Sequence, residues 1–215
     1  TFPDYVPDWD QVARLITPKT RMIIVNSPHN PTGSLFSTVD REKLAKLISG
    51  TNIVVLSDEV YEHILFDGEQ HASLCAHPEL AARSIVVSSF GKTYHVTGWK
   101  VGYVAAPAPL TSEFRKVHQF NVFTVNTPMQ YGLAAYMGTP SHYLDLPAFY
   151  QRKRDLFRAG LANTRLQLLP SEGSYFQCVD ISPVSDLGEA DFCQWLTAEI
   201  GVAAIPLSAF YGNGF

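Results

Sequence analysis

Cysteine is scarce in this 215-residue chain: there are three, Cys75, Cys178 and Cys193, set far apart. An odd number at such spacing makes neither a disulfide framework nor a zinc site, and it points to a cytoplasmic address. Long apolar runs are also missing. The stretch from Val101 to Pro109, interrupted at Gly102, falls far short of the ~18–20 residues a membrane span needs, so no membrane partner is expected. No signal-peptide pattern opens the chain. Basic clustering stops at Arg152-Lys153-Arg154, and 16 Lys+Arg against 20 Asp+Glu leave a net charge of −4, so no nucleic-acid partner is expected either. What is plentiful is apolar material. With 46% hydrophobic and only 17% charged residues, the chain can build a real core, which excludes a disordered segment or a mini-protein scaffold.

Two further absences concern the ends. The chain opens on Thr1 without a methionine, and it closes on Phe210-Tyr211-Gly212-Asn213-Gly214-Phe215 directly after a strand-like run. The expectation is a piece of a longer protein.

Apolar runs and helical patterns alternate along the first half. Asp8 caps a short helix carrying Trp9, Val12, Leu15 and Ile16, which Pro18 closes. A strand follows at Arg21 to Asn26. Ser37 caps a helix in which Leu44, Leu47 and Ile48 recur, ended by Gly50. Further strands are read at Ile53 to Leu56, Ser84 to Ser88 and Lys100 to Ala105, with a weaker helix at Leu74 to Ala82 between the first two. The first three strands are solidly apolar, as burial on both faces of a parallel sheet requires. Strand–helix–strand units of about 30 residues predict a doubly wound, mostly parallel α/β fold. Beyond Pro109 the pattern turns helical, at Thr111 to Phe123 and at Pro128 to Met137 with Thr127 as cap. A long helix from about Leu146 to Asn163 carries Phe149, Leu156, Phe157 and Leu161 on one stripe and reads as a bridge out of the domain. A strand at Ser174 to Val179, a helix at Ala190 to Ile200 and a strand at Val202 to Pro206 then predict part of a smaller α+β domain. The expected division is residues 1–140, 141–163 and 164–215.

In an open parallel sheet, ligands sit beyond the carboxyl ends of the strands. The residues there are Asn26-Ser27-Pro28-His29-Asn30-Pro31-Thr32-Gly33, Ser57-Asp58-Glu59-Val60-Tyr61 and Ser88-Ser89-Phe90-Gly91-Lys92-Thr93. Each residue type has a bland role: Asp58 as a helix cap, Asn30 as a turn residue, Lys92 as a solvated cation, Tyr61 as core and His29 packed under its turn. Their conjunction is harder to dismiss, since an amine and a carboxylate converging on one dry crevice need something to pair with. A nucleotide phosphate loop ending at Gly91-Lys92-Thr93 fails, because Val86 stands where its first glycine belongs and the loop would follow the acidic strand.

The segments Asn26 to Gly33, Ser57 to Tyr61, Ser88 to Thr93 and Thr97-Gly98-Trp99-Lys100 closely resemble the signatures of fold-type I pyridoxal-phosphate-dependent aminotransferases. Within that family they look most like the methionine and kynurenine/glutamine branch. Pro170 to Phe176 is similar to the family's small-domain hairpin. The resemblance implies a Lys92 aldimine with pyridoxal 5'-phosphate, and Lys92 as the proton shuttle at the substrate carbon. It implies Asp58 on the pyridine nitrogen, Asn30 and Tyr61 on the phenolic oxygen, and Ser89 and Lys100 on the phosphate; no metal is implied. Lys100 supplies charge without the planar fork of the arginine found in some relatives. The family's glycine-rich phosphate loop and stacking aromatic would precede Thr1, and its carboxylate-clamping arginine would follow Phe215, so weak activity or none is expected of this span alone. The implied reaction passes an amino group from an amino acid, methionine or aromatic, to a 2-oxo acid. The implied assembly is a homodimer to which the Phe120 to Phe123 region contributes. A carbon–sulfur β-lyase on the same fold, the cofactor-sensing half of a transcription regulator, and an inert folded remnant share these residues and remain open.

Overall fold

The computed structural model describes residues 2–211; Thr1 and the closing residues 212–215, on which the expectation of a longer protein leaned, lie outside the described residues. The chain begins with α1 (Trp9–Leu15), whose N-cap Asp8 accepts from the Gln11 amide at 2.9 Å. Then come β1 (Met22–Asn26), α2 (Thr38–Ile48) and β2 (Val54–Asp58). A 3₁₀ turn at Leu74–Ala76 and α3 (Pro78–Ala81) replace the single helix read at Leu74 to Ala82. Pro78 explains the break: it starts a helix readily but cannot continue one. After β3 (Ser84–Ser89), the turn α4 (Phe90–Thr93) and β4 (Gly102–Ala105), the chain runs through α5 (Ala108–Asn121), α6 (Thr127–Met137), α7 (Ser141–Leu144) and α8 (Leu146–Leu161). The Asn126 side chain, not Thr127, caps α6, accepting from the Met129 amide at 3.1 Å.

The main sheet has the order β1-β2-β3-β4, with the first three strands parallel and β4 antiparallel to β3. The expected mixed, mostly parallel α/β class holds. Burial on both faces does not. β2 and β3 alternate buried and half-buried positions, and Ile24 of β1 is 69% exposed. Apolar runs license two-sided cover, but here α2 and its neighbours cover one face: Leu44, Ala45 and Ile48 pack with Ile53, Val55, Leu74 and Leu80.

Local chemistry anchors that layer. Ser37 and Asp40 form a reciprocal capping box at the start of α2, and Asp40 also accepts from the Trp9 indole at 2.8 Å, which ties down α1. At the other end, Arg83 donates to the carbonyls of Ile48, the last residue of α2, and of Thr51 just beyond it, at 3.1 and 2.8 Å, which ties down the end of the helix.

The last third departs most from expectation. Of the strand read at Ser174 to Val179 only Val179 is regular, as the first residue of β6 (Val179–Asp180), which pairs antiparallel with β5 (Gln167–Leu168). The helix read at Ala190 to Ile200 is α9 (Glu189–Trp195) followed by a π-turn at Leu196–Ile200. Val202 to Pro206 forms no strand; with no neighbouring strand to pair with among the described residues, β-branched residues alone do not make one. The apolar stripe of α8 is open, with Leu156 at 76% and Phe157 at 51% exposure. Its polar side does the anchoring: Arg154 grips the Asp67 carboxylate at 2.6 and 2.8 Å and donates to the Ser171 carbonyl at 3.0 Å. No helix among the described residues is long and apolar enough to cross a membrane.

Replacing Leu44, which is 1% exposed, is expected to remove much of this core. Leu44→Ala should cost about 2–5 kcal/mol in urea unfolding, whereas Val39→Ala, at a position 61% exposed, should stay within about 0.5 kcal/mol.

Candidate active site

Parallel register sets the geometry. Asn26, the last residue of β1, lies opposite Asp58, the last of β2, and Asp58 lies opposite Val87 of β3. β1 and β2 therefore finish side by side, and β3 runs two residues farther in the same direction, to Ser89. The turn after β1 is held over them by Asn26, whose side-chain oxygen accepts from the Asn30 amide at 2.8 Å while its amide donates to the Asp58 carbonyl at 3.1 Å. Asn30 itself is exposed in that turn. His29 is tucked beneath it, with Nδ1 2.7 Å from the Thr32 hydroxyl, and burial lowers its pKa.

Asp58 is half-buried and accepts from the Val60 amide at 3.2 Å. One residue on, Glu59 is 2% exposed and fully engaged. Ser57 Oγ and the Leu74 amide donate to its Oε1 at 2.8 and 3.1 Å, and His71 Nε2 lies 2.7 Å from its Oε2. Burial would lift the Glu59 pKa, but the His71 hydrogen bond and charge, with bonds from Ser73 and Ser57, outweigh it and hold the carboxyl below its ordinary value. Sequence reasoning missed this pair; an acid directly after an apolar strand, with a histidine 12 residues on, was the available signal. Glu59, Glu62 and His71 place one ligand-type atom each within 4.8 Å of one another. Protein donors already occupy both Glu59 oxygens, and Ser88 and Tyr103 donate to Glu62 Oε1 at 3.0 and 2.7 Å.

Beyond β3, Ser89 caps the turn α4: its Oγ accepts from the Gly91 amide at 3.1 Å and donates to the Val101 carbonyl at 3.4 Å. That second bond brings Ser89 next to the backbone adjoining Lys100. Gly91 is required here, because a Cβ would meet the Thr97 Cα at 2.8 Å. Lys92 stands in this turn with its Nζ 5.8 Å from the centre of the Tyr175 ring. Lys100 closes the Thr97–Trp99 turn in a left-handed conformation, φ 56°, with an exposed side chain.

Tyr61 is 2% exposed, and its hydroxyl donates to that of Tyr175 at 3.3 Å. Its pKa is raised, chiefly by burial, then by the bond to Tyr175 and the charges of Tyr175, Asp58 and Tyr150. Tyr175 is the second residue that sequence reasoning passed over, having placed it only in a strand. It arrives from far along the chain because the Gly33 carbonyl accepts from both the Glu172 and Gly173 amides, at 3.0 and 2.9 Å. Gly33 (φ 73°) and Gly173 are both pressed against backbone or Pro28, leaving no room for a side chain at either.

An amine, a carboxylate, an amide and a phenol around aligned strand ends suit an aldehyde-bearing pyridine with a phenolic oxygen, and Ser89 and Lys100 add a hydroxyl and a cation of the kind that binds phosphate. The sheet and these strand ends define a fold-type I aminotransferase architecture. Residues 2–215 match the family model for aminotransferase class I and II, and the chain belongs to that family. It is 53% identical to the methionine aminotransferase of Escherichia coli over 99% of this chain and 55% of that one. It is 34% identical to kynurenine–oxoglutarate transaminase 1 of Rattus norvegicus over 98% of this chain and 54% of that one. The crystal structure that identified a methionine aminotransferase function in E. coli superposes with TM-score 0.97 at 52% identity, covering 100% of this chain and 57% of that one. The N-succinyldiaminopimelate aminotransferase structure from Mycobacterium tuberculosis gives 0.93 at 36% identity, covering 97% and 54%. The chain thus spans about half the length of the curated relatives it matches.

The depressed Glu59 pKa fixes a sign. Its stabilisation is full above the unfolded carboxyl value of about 4.3 and is lost as pH falls through the lower folded value. Glu59→Gln should destabilise the protein at neutral pH by about 1–3 kcal/mol and flatten the acid limb of a melting-temperature profile.

Proposed function

We propose that the whole protein transfers an amino group from an amino acid to a 2-oxo acid, with pyridoxal 5'-phosphate held at Lys92. The observation that carries this reading is that Asp58 ends β2 and Lys92 lies three residues past the end of the neighbouring parallel strand β3, in a chain of the class I and II family. When bound, the cofactor supplies an aldehyde that condenses with amines and a ring that accepts the electrons left on the substrate carbon. The chain's own residues divide the remaining work. Lys92 Nζ anchors the aldehyde and moves the proton at the substrate Cα. Asp58 keeps a proton on the pyridine nitrogen. Asn30 and Tyr61 donate to the phenolic oxygen, while Ser89 and Lys100 bind the phosphate.

The domain reading follows from the same roles: 1–140 as part of the large cofactor-binding domain, 141–163 as the bridging helix, 164–215 as part of the small domain. Methionine or an aromatic amino acid is the proposed donor, supported by the likeness to the E. coli methionine aminotransferase. A homodimer is the proposed assembly and the cytoplasm the proposed address.

Incubation with pyridoxal phosphate and borohydride should fix the cofactor on Lys92, seen by peptide mass mapping. Lys92→Ala should abolish that capture and reduce turnover about 10²-fold or more. Equal capture by Lys92→Ala would refute the anchor. Release of pyruvate and ammonia in place of a 2-oxo acid matching the donor would make the protein a β-lyase.

A further inference from the structure

We infer that Tyr175 is a positioning residue that acts through Tyr61, the two hydroxyls forming a relay in which Tyr175 donates to Tyr61 and Tyr61 donates to the cofactor's phenolic oxygen. The inference rests on the cofactor reading above and adds a residue to it.

Three observations carry it. The hydroxyls are 3.3 Å apart, and the rings meet edge to face with centroids 5.2 Å apart, so the pair is held by packing as well as by the bond. Tyr61 is 2% exposed and Tyr175 41%, so Tyr61 is shielded from water while its partner stays open to it. Tyr175 is delivered by a rigid segment. The Gly33 carbonyl takes two amides from that segment, the Ser174 amide donates to the Ile64 carbonyl at 2.9 Å, and the Phe176 amide donates to Ser174 Oγ at 3.3 Å.

A phenol has a single proton. With Tyr61 donating to Tyr175, as found here, that proton is unavailable to anything else. Hydroxyl protons rotate at little cost, so an acceptor placed at Tyr61 reverses the pair: Tyr175 turns its proton toward the Tyr61 oxygen, and Tyr61 turns its own outward. A donor that is itself accepting a bond is polarised and donates more strongly. Without the Tyr175 hydroxyl, the Tyr61 oxygen sits in the core with that acceptance unfilled. The charged and titratable groups around the pair are Asp58, Lys92 and Tyr150.

In the loaded enzyme, stronger donation by Tyr61 would favour the ionised phenolic oxygen, and so would lower the pH at which the visible band titrates. Tyr175→Phe in the loaded whole enzyme should therefore raise the titration midpoint by about 0.3–1 pH unit. Tyr61→Phe should raise it further, and the double variant should titrate with Tyr61→Phe alone, because the relay has no second route. Tyr175→Phe keeps the ring, so its melting temperature should stay within about 2 °C of the parent. An unmoved midpoint in Tyr175→Phe, or a shift that adds in full to that of Tyr61→Phe, would overturn the relay while leaving the cofactor reading standing. A parent enzyme with no borohydride-fixable cofactor on Lys92 would overturn both.

Discussion

Everything at the site depends on the parallel pairing of β1, β2 and β3. Because Asn26 faces Asp58 and Asp58 faces Val87, the loops after β1, β2 and β3 leave the sheet in the same direction from adjacent strands. An antiparallel arrangement would send alternate loops to opposite edges. The buried Glu59–His71 pair reinforces this, fixing the chain one residue past Asp58 and joining it to the segment that leads into the Leu74–Ala76 turn. The carboxylate at the strand end is thus held by its neighbours and not by its own side-chain bonds alone.

A second constraint brings the distant segment in. The double acceptance at the Gly33 carbonyl and the mutual approach of Gly33 and Gly173 leave space for backbone only, so the loop carrying Tyr175 meets the turn carrying Asn30 through main-chain contacts. Arg154 secures the same loop from α8, binding the Ser171 carbonyl and Asp67 together. Two regions more than 100 residues apart in sequence thereby share one site.

Much of the fold could be read before any coordinates. The caps Asp8 and Ser37, the four strands of the main sheet and the α/β class follow from residue type and spacing, since capping and apolar periodicity are local effects. The elements misjudged were those whose state depends on neighbours. Val202 to Pro206 has strand-like residues but no strand beside it among the described residues, and the stripe on α8 has the period of a buried face yet stands open.

Sequence by itself determined which groups stand at the strand ends: Asn30, Asp58, Tyr61, Ser89, Lys92 and Lys100 are set by order along the chain, and a covalent chain cannot rearrange them. Only the tertiary structure decided what each of them meets. Asn26 bonding to Asp58, His71 meeting Glu59, and Tyr175 reaching Tyr61 and Lys92 are contacts across 12 to 114 residues. Such contacts form only after the sheet has aligned and the glycine-lined approach has closed, and no local pattern records their partners.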